Sequence, residues 1–206
     1  MLTAIRRLRY PGSRAYWENR YARGGTSGSG SEGPLAAYKA GWLNRFVQEK
    51  QVRTVVELGC GDGRQLRLAE YPDYLGLDIA ASAVQRCRDL FVNDPSKRFE
   101  VYDPASFDAA PHRADLAISI EVIFHLTEDA LYQLYLQHLF ACARRWVVIF
   151  ASDEPDTTGG RFPHFRPRRF SPDVPAGWSL RAREPNPLRE ISVSDFFIFE
   201  NICAQS

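Results

Sequence analysis

Apolar positions along the chain fall into short runs that alternate with stripes of helical spacing. Thr54–Leu58, Tyr74–Asp78, Phe99–Tyr102, Ala114–Ile120 and Arg145–Ala151 are runs of strand length, enriched in β-branched or aromatic residues. Ala114–Ile120 is apolar nearly throughout, the pattern of a strand covered on both faces. Leu35, Tyr38, Trp42, Leu43, Phe46 and Val47 recur at helical spacing and predict an amphipathic helix packed on a sheet. Arg64–Glu70 opens a first crossover helix, and Ser82 with Gln85 reads as a capping box for a second. Thr127 is the expected cap of a third, with Glu128 and Asp129 in its first turn and Leu131, Leu134, Tyr135, His138, Leu139 and Cys142 as its buried stripe. Strand–helix alternation of this kind predicts an α/β fold, a Rossmann-like doubly wound and mostly parallel sheet. Residues 152–177 lose periodicity and are rich in proline and arginine. Trp178–Arg183 and Ile191–Glu200 then read as a C-terminal antiparallel hairpin that completes a seven-stranded sheet.

With 206 residues the chain is long enough for one domain with a full core. Residues 1–50 supply N-terminal helices and a glycine-rich loop, 51–151 the core, and 152–206 a long loop and the closing hairpin. A net charge of +1 gives no global field to recruit nucleic acid or a membrane. The four cysteines, Cys60, Cys87, Cys142 and Cys203, are far apart, which argues for free thiols in a cytoplasmic setting and against a disulfide framework or zinc site. No apolar run approaches the roughly 18 residues of a membrane helix. Arg6, Arg7 and Arg9 lack the apolar core of a secretory signal. Oligomeric state stays open.

The chemistry concentrates where the first strand ends, at Glu57-Leu58-Gly59-Cys60-Gly61-Asp62-Gly63. A dinucleotide turn is Gly-x-Gly-x-x-Gly. Here Arg64 stands where that pattern wants its third glycine, so the turn lacks the usual fit for a pyrophosphate. Ligands of open α/β sheets lie beyond the carboxyl ends of the strands. Glu57, Asp78, Asp103 and Glu121 each end a strand, and Asp78 suits a ribose diol because a carboxylate accepts both hydroxyl protons. Any one of these acids alone reads equally well as a cap or a solvated loop end; together they indicate a ligand site. Residues 24–33, GGTSGSGSEG, lie between the aromatic segment Tyr16, Trp17, Arg20, Tyr21 and the amphipathic helix. That position makes them a ligand-facing lid more than a free linker.

An acid, an apolar residue and Gly-x-Gly-x-Gly resemble motif I of class I S-adenosylmethionine (SAM)-dependent methyltransferases. Flanking segments resemble a bacterial group that acts on small molecules. These are Tyr16-Trp17-Glu18-Asn19-Arg20-Tyr21, Gly24–Ser31, Leu35–Ala40, Ser119-Ile120-Glu121-Val122-Ile123-Phe124-His125-Leu126, His164–Arg168 and Ser194-Asp195-Phe196-Phe197. Glu121, Phe124 and Pro167 depart from that group's aspartate, tyrosine and histidine. The resemblance implies SAM as cofactor, held by Tyr21, Glu57, Gly59, Gly61, Asp78, Ile79 and Glu121, with Asp103 facing the adenine amino group and the loop Gly24–Ser31 folding over it. Lys39 would help close that cover and reach the acceptor.

Arg161, His164, Arg166, Arg168 and Arg169 fall within nine positions. Two readings compete: an anion pocket of guanidinium forks, and a solvated or nucleic-acid-binding loop. Placement after the fifth strand favours the pocket, so Lys39, His125, His164, Arg166 and Arg168 are expected to bind the acceptor. His125 is the candidate general base, with Glu121 beside it as a catalytic candidate. The expected reaction is methyl transfer to oxygen of a small phosphate- or carboxylate-bearing acceptor, such as a metabolite or a saccharide phosphate. Alternatives are an RNA- or protein-modifying methyltransferase and a non-catalytic SAM-binding module. No metal is expected, since no ligand spacing is present.

Overall fold

A computed structural model of the chain describes residues 10–157 and 161–202; Arg6, Arg7, Arg9 and Cys203 lie outside them. Four α-helices are described: α1 (Ser13–Ala22), α2 (Gly33–Glu49), α3 (Ala81–Leu90) and α4 (Asp129–Ala141). They interleave with seven strands: β1 (Thr54–Leu58), β2 (Asp73–Asp78), β3 (Lys97–Val101), β4 (Ala114–Ile120), β5 (Ala143–Ala151), β6 (Trp178–Glu184) and β7 (Asp195–Asn201). The strand order is β3-β2-β1-β4-β5-β7-β6. β1 to β5 run parallel, while β7 is antiparallel to both β5 and β6. The Rossmann-like, mostly parallel seven-stranded sheet with its C-terminal hairpin is therefore the observed fold.

Strand period sorts the core into two layers. Val56 and Leu58 of β1 pack with Tyr135, Leu136 and Leu139 of α4 on one face. Val55 faces the other side, with Leu35, Leu43 and Phe46 of α2 and Val84 and Cys87 of α3. By the same alternation Glu57 points toward the α2/α3 layer. Topology reverses between β1 and β4, which both leave the sheet centre here, so a ligand crevice is expected above their carboxyl ends.

Four local readings are corrected. The helix expected at 64–70 is a single 3-10 turn, Gln65–Leu68, and the chain is already extended at Ala69, with φ −94° and ψ 141°. Ser82 does not cap α3, which starts at Ala81. Its amide donates to Glu18 of α1 at 3.2 Å and its hydroxyl donates to the same carboxylate, so a tertiary partner supplies the negative charge at this helix start. Glu128, not Thr127, is the N-cap of α4, and its carboxylate accepts from the Ser13 amide and hydroxyl at 2.8 and 2.6 Å. Leu134 is exposed, and Tyr132, Leu136 and Phe140 join Tyr135 and Leu139 in the buried stripe. Glu18 and Glu128 thus staple α1 across two helix starts, over the carboxyl ends of the strands.

Candidate active site

A cavity of about 330 Å³ opens at those strand ends, within the range of small-ligand pockets. Among its lining residues are Tyr21, Lys39, Glu57, Gly59, Gly61, Asp78, Ile79, Glu121, His125 and His164, ten of the sequence-predicted positions.

The turn after β1 explains two of them. Gly59 and Gly61 have φ of +86° and +58°. A Cβ at Gly59 would stand 2.5 Å from Val122, and one at Gly61 would stand 2.4 Å from the Ser27 hydroxyl. Only glycine lets the backbone curl this close to its neighbours. Asp78, at the end of β2, pins the turn: it accepts from the Gly61 amide at 2.8 Å and the Ala80 amide at 2.9 Å. Each carboxylate oxygen keeps a second lone pair for a ligand hydroxyl.

Burial dominates the electrostatics. The Glu57 carboxyl is pushed up to about 7 by desolvation, although the Tyr74 hydroxyl donates to it at 2.6 Å and Lys39 opposes the rise. Desolvation likewise pushes Asp78 up to about 6, against the pull of its two amide donors. Two acids held partly protonated in one cavity form a site that gains from a cationic ligand. Lys39 reaches the cavity from α2 and donates to Glu121 at 2.6 Å. Glu121, just past β4, has φ +60°, a strained conformation for a residue with a Cβ.

The glycine-rich loop lies over this floor. Ser27 donates to Asp62 from its amide (3.1 Å) and hydroxyl (2.8 Å), and accepts from the Asp62 amide at 3.1 Å. Ser27, Gly28, Ser29, Gly30 and Ser31 all line the cavity.

At the other end His125 follows β4 in a 3-10 turn, Ile123–His125. Its Nδ1 lies 3.0 Å from the His164 carbonyl. A carbonyl only accepts, so Nδ1 carries the proton and Nε2 is left as the basic nitrogen. Burial lowers the ring to about 4, against the pull of the His164 carbonyl and with small help from the charges of His164 and Arg20, so His125 is neutral near pH 7. Trp17 packs edge-on against His125, and Tyr16 stacks on His164 at 4.8 Å between centroids.

Three expected residues are not in the lining. Asp103 is half-exposed and pairs with Arg14 at 2.9 Å, while its neighbour Tyr102 lines the cavity. Arg166 donates to the Thr127 carbonyl (3.1 Å) and Asp129 (2.9 Å). Arg168 is buried, donates to the Leu126 and Thr127 carbonyls and to Asp129, and stacks over Tyr132 at 4.5 Å. The expected guanidinium forks for an acceptor anion instead clamp residues 161–170 to the start of α4, where a broken turn leaves carbonyls free. Arg168→Met is therefore expected to lower stability by about 2 kcal/mol in urea unfolding and to leave donor affinity within two-fold or so. Unchanged stability with lost turnover would return Arg168 to the acceptor site.

Gln65, Leu131 and Tyr135 line the cavity with no local signal in the sequence to mark them, and Tyr16, Trp17, Arg20 and Phe124, which the resemblance motifs include without a site role, line it too. Tyr135 reads as ordinary helix core from its spacing, and its hydroxyl bonds with Ser119 and the Leu58 carbonyl. Arg20 lines the cavity with its Nε donating to the Thr26 carbonyl at 2.6 Å. Among the described residues no cluster of ligating side chains could hold a metal.

The arrangement can seat a cationic ligand with a diol under a cover and present a second molecule to a neutral histidine. Solved structures share the architecture. The N-methyltransferase NodS from Bradyrhizobium japonicum WM9, in complex with S-adenosyl-l-homocysteine, aligns with a TM-score of 0.72 at 16% identity, covering 92% of this chain and 98% of that one. Magnesium protoporphyrin IX methyltransferase from Synechocystis PCC 6803, with the same bound product, aligns at 0.65 and 17% identity, covering 91% and 97%. The small RNA 2'-O-methyltransferase of Arabidopsis thaliana is 29% identical over 109 residues, which are 47% of this chain and 12% of that protein, so the match spans a small part of that relative. A family model described as a methyltransferase domain matches residues 34–177, from the second residue of α2 through β5. The chain belongs to that methyltransferase-domain family.

Proposed function

We propose that the protein transfers the sulfonium methyl of SAM to a hydroxyl oxygen of a small acceptor that carries an anionic group. The observation that carries this reading is the single cavity joining the acids Glu57 and Asp78 to the neutral His125. Asp78 would take the ribose hydroxyls, Gly59 and Gly61 the close approach of the donor, and Glu57 its positive charge. The donor is consumed by in-line attack on its methyl group, so the protein's main task is alignment in a dry site. Tyr16, Trp17 and Phe124 supply flat apolar walls for the acceptor, and the Nε2 of His125 can take the hydroxyl proton as the oxygen attacks. Arg20 replaces Arg166 and Arg168 as the cation available to an acceptor anion, since Lys39 is already paired with Glu121. A cover closed by Ser27 and Asp62 favours a small acceptor over a polymer. The free thiols of Cys60, Cys87 and Cys142 suit a reducing, cytoplasmic compartment.

The test is turnover of SAM to S-adenosylhomocysteine with a small-molecule metabolite fraction, before and after nuclease treatment. Product that survives the nuclease supports the reading, and product that requires intact RNA overturns the small-acceptor assignment. His125→Asn is expected to lower kcat by about 10²- to 10⁴-fold at little cost in SAM affinity, the usual range for losing a general base. Unaltered kcat would remove His125 from proton transfer.

A further inference from the structure

Lys39 is the most deeply buried charged side chain of the cavity, 1% exposed, and its ammonium is 2.6 Å from the Glu121 carboxylate. A lysine charge at such depth costs several kcal/mol unless it is paired. Pairing explains how Lys39 is tolerated. It does not explain why both partners line a ligand cavity, nor why Glu121 holds a left-handed backbone to make the contact. A purely structural pair gains nothing from facing an opening.

Strand order orients the site. Asp78 ends β2, Glu57 is the next-to-last residue of β1, and Glu121 follows β4, which lies on the far side of β1 from β2. With the donor's ribose at Asp78, the rest of the donor crosses β1 and reaches the Lys39–Glu121 pair. That far end of SAM is an amino acid zwitterion, one ammonium and one carboxylate. We infer that the Lys39–Glu121 ion pair is an internal stand-in for this zwitterion: on donor binding Lys39 takes the carboxylate, while Glu121 and Glu57 take the ammonium. This inference rests on the SAM reading.

The exchange keeps every buried charge partnered in both states. Without ligand, each side chain neutralises the other. With ligand, each finds the opposite charge of the zwitterion, and Glu57, held partly protonated by burial, gains a cation beside it. Gly30 of the cover belongs to the same device. A Cβ there would stand 2.2 Å from Glu121 Oε2, so the cover backbone rests directly on the carboxylate that must turn to the ligand. No covalent step is involved.

The test is calorimetric titration of the full chain with SAM, with decarboxylated SAM, and with 5′-methylthioadenosine, which lacks the whole zwitterion. For the wild type, removing the carboxylate is expected to weaken binding by about 10- to 100-fold, the range for one charged hydrogen bond. In Lys39→Met that preference for SAM over decarboxylated SAM should collapse to within about two-fold. Because Lys39→Met leaves Glu121 unpaired, Lys39→Met/Glu121→Gln is titrated alongside. It should bind 5′-methylthioadenosine like the wild type, which reports an intact fold and nucleoside end, and should lose the preference for SAM. If either variant keeps the wild-type preference, the stand-in role is overturned. If wild-type protein binds none of the three probes, the SAM reading itself has failed, and the inference with it.

Discussion

Asp78→Ala is expected to weaken SAM binding by about 100-fold or more, with SAM affinity measured by calorimetry. The side chain has two jobs. It holds the Gly61 and Ala80 amides, and so the shape of the turn after β1, and its remaining lone pairs face the cavity. Losing a buried charged acceptor removes both, at about 1.5–3 kcal/mol for each charged hydrogen bond lost. Asp78→Asn separates the jobs. An asparagine carbonyl can still accept one amide, but it cannot accept from both backbone donors and from a diol. Its affinity should fall between wild type and alanine. Unchanged affinity in Asp78→Ala would remove this residue from the donor site.

Glu57→Gln is expected to make the free protein more stable and a poorer binder. Burial raises the Glu57 carboxyl from 4.5 to about 7, so the folded state binds a proton more tightly than the unfolded state. The sign follows from linkage: this group's contribution falls as pH rises from about 4.5 through about 7, and above that the ionised carboxylate is a destabilising charge in the core. Glutamine has no such charge and can still accept from the Tyr74 hydroxyl. The variant should therefore match wild type near pH 4.5 and exceed it near pH 8, by up to about 3 kcal/mol in urea unfolding. Donor binding should respond in the opposite sense. A cation beside Glu57 lowers its pKa, so SAM binding near pH 7 releases a proton and tightens as pH rises through that range. In the variant the proton release disappears and affinity falls. Equal stability of the two proteins at pH 8 would show that Glu57 carries no buried charge. An acid that weakens the empty fold and strengthens the loaded one is a mark of a binding group.

The parts of the site legible in the sequence were those whose signal is local. β-branched residues at 54–58 followed by alternating glycines specify a strand and a tight turn within ten residues, and the acids at strand ends follow from topology. What was misread depended on partners distant in the chain. Arg166 and Arg168 look like an anion pocket because a cluster of cations in sequence does not reveal that Leu126 and Thr127 offer them bare carbonyls and Asp129 a carboxylate. Ser82 has the spacing of a capping box, but Glu18 of another helix already occupies its donors. Asp103 lies two residues beyond the end of β3, and Arg14 pairs with it at the surface. Lys39 carried a signal that its helical position offers to any reader. It stands four residues after Leu35 and four before Leu43, within the apolar stripe of α2, where a lysine must be buried and therefore paired. Its partner, Glu121, could not be named from sequence, because the backbone turn that aims it is visible only as a positive φ.

The crevice at the ends of β1, β2 and β4 is expected to take a sulfonium nucleoside. Calorimetry of the wild-type protein against SAM and against NAD tests it most directly. One equivalent of SAM should bind with an affinity that Asp78→Ala lowers about 100-fold or more, while NAD gives no heat. Saturable binding of NAD with none of SAM would contradict it.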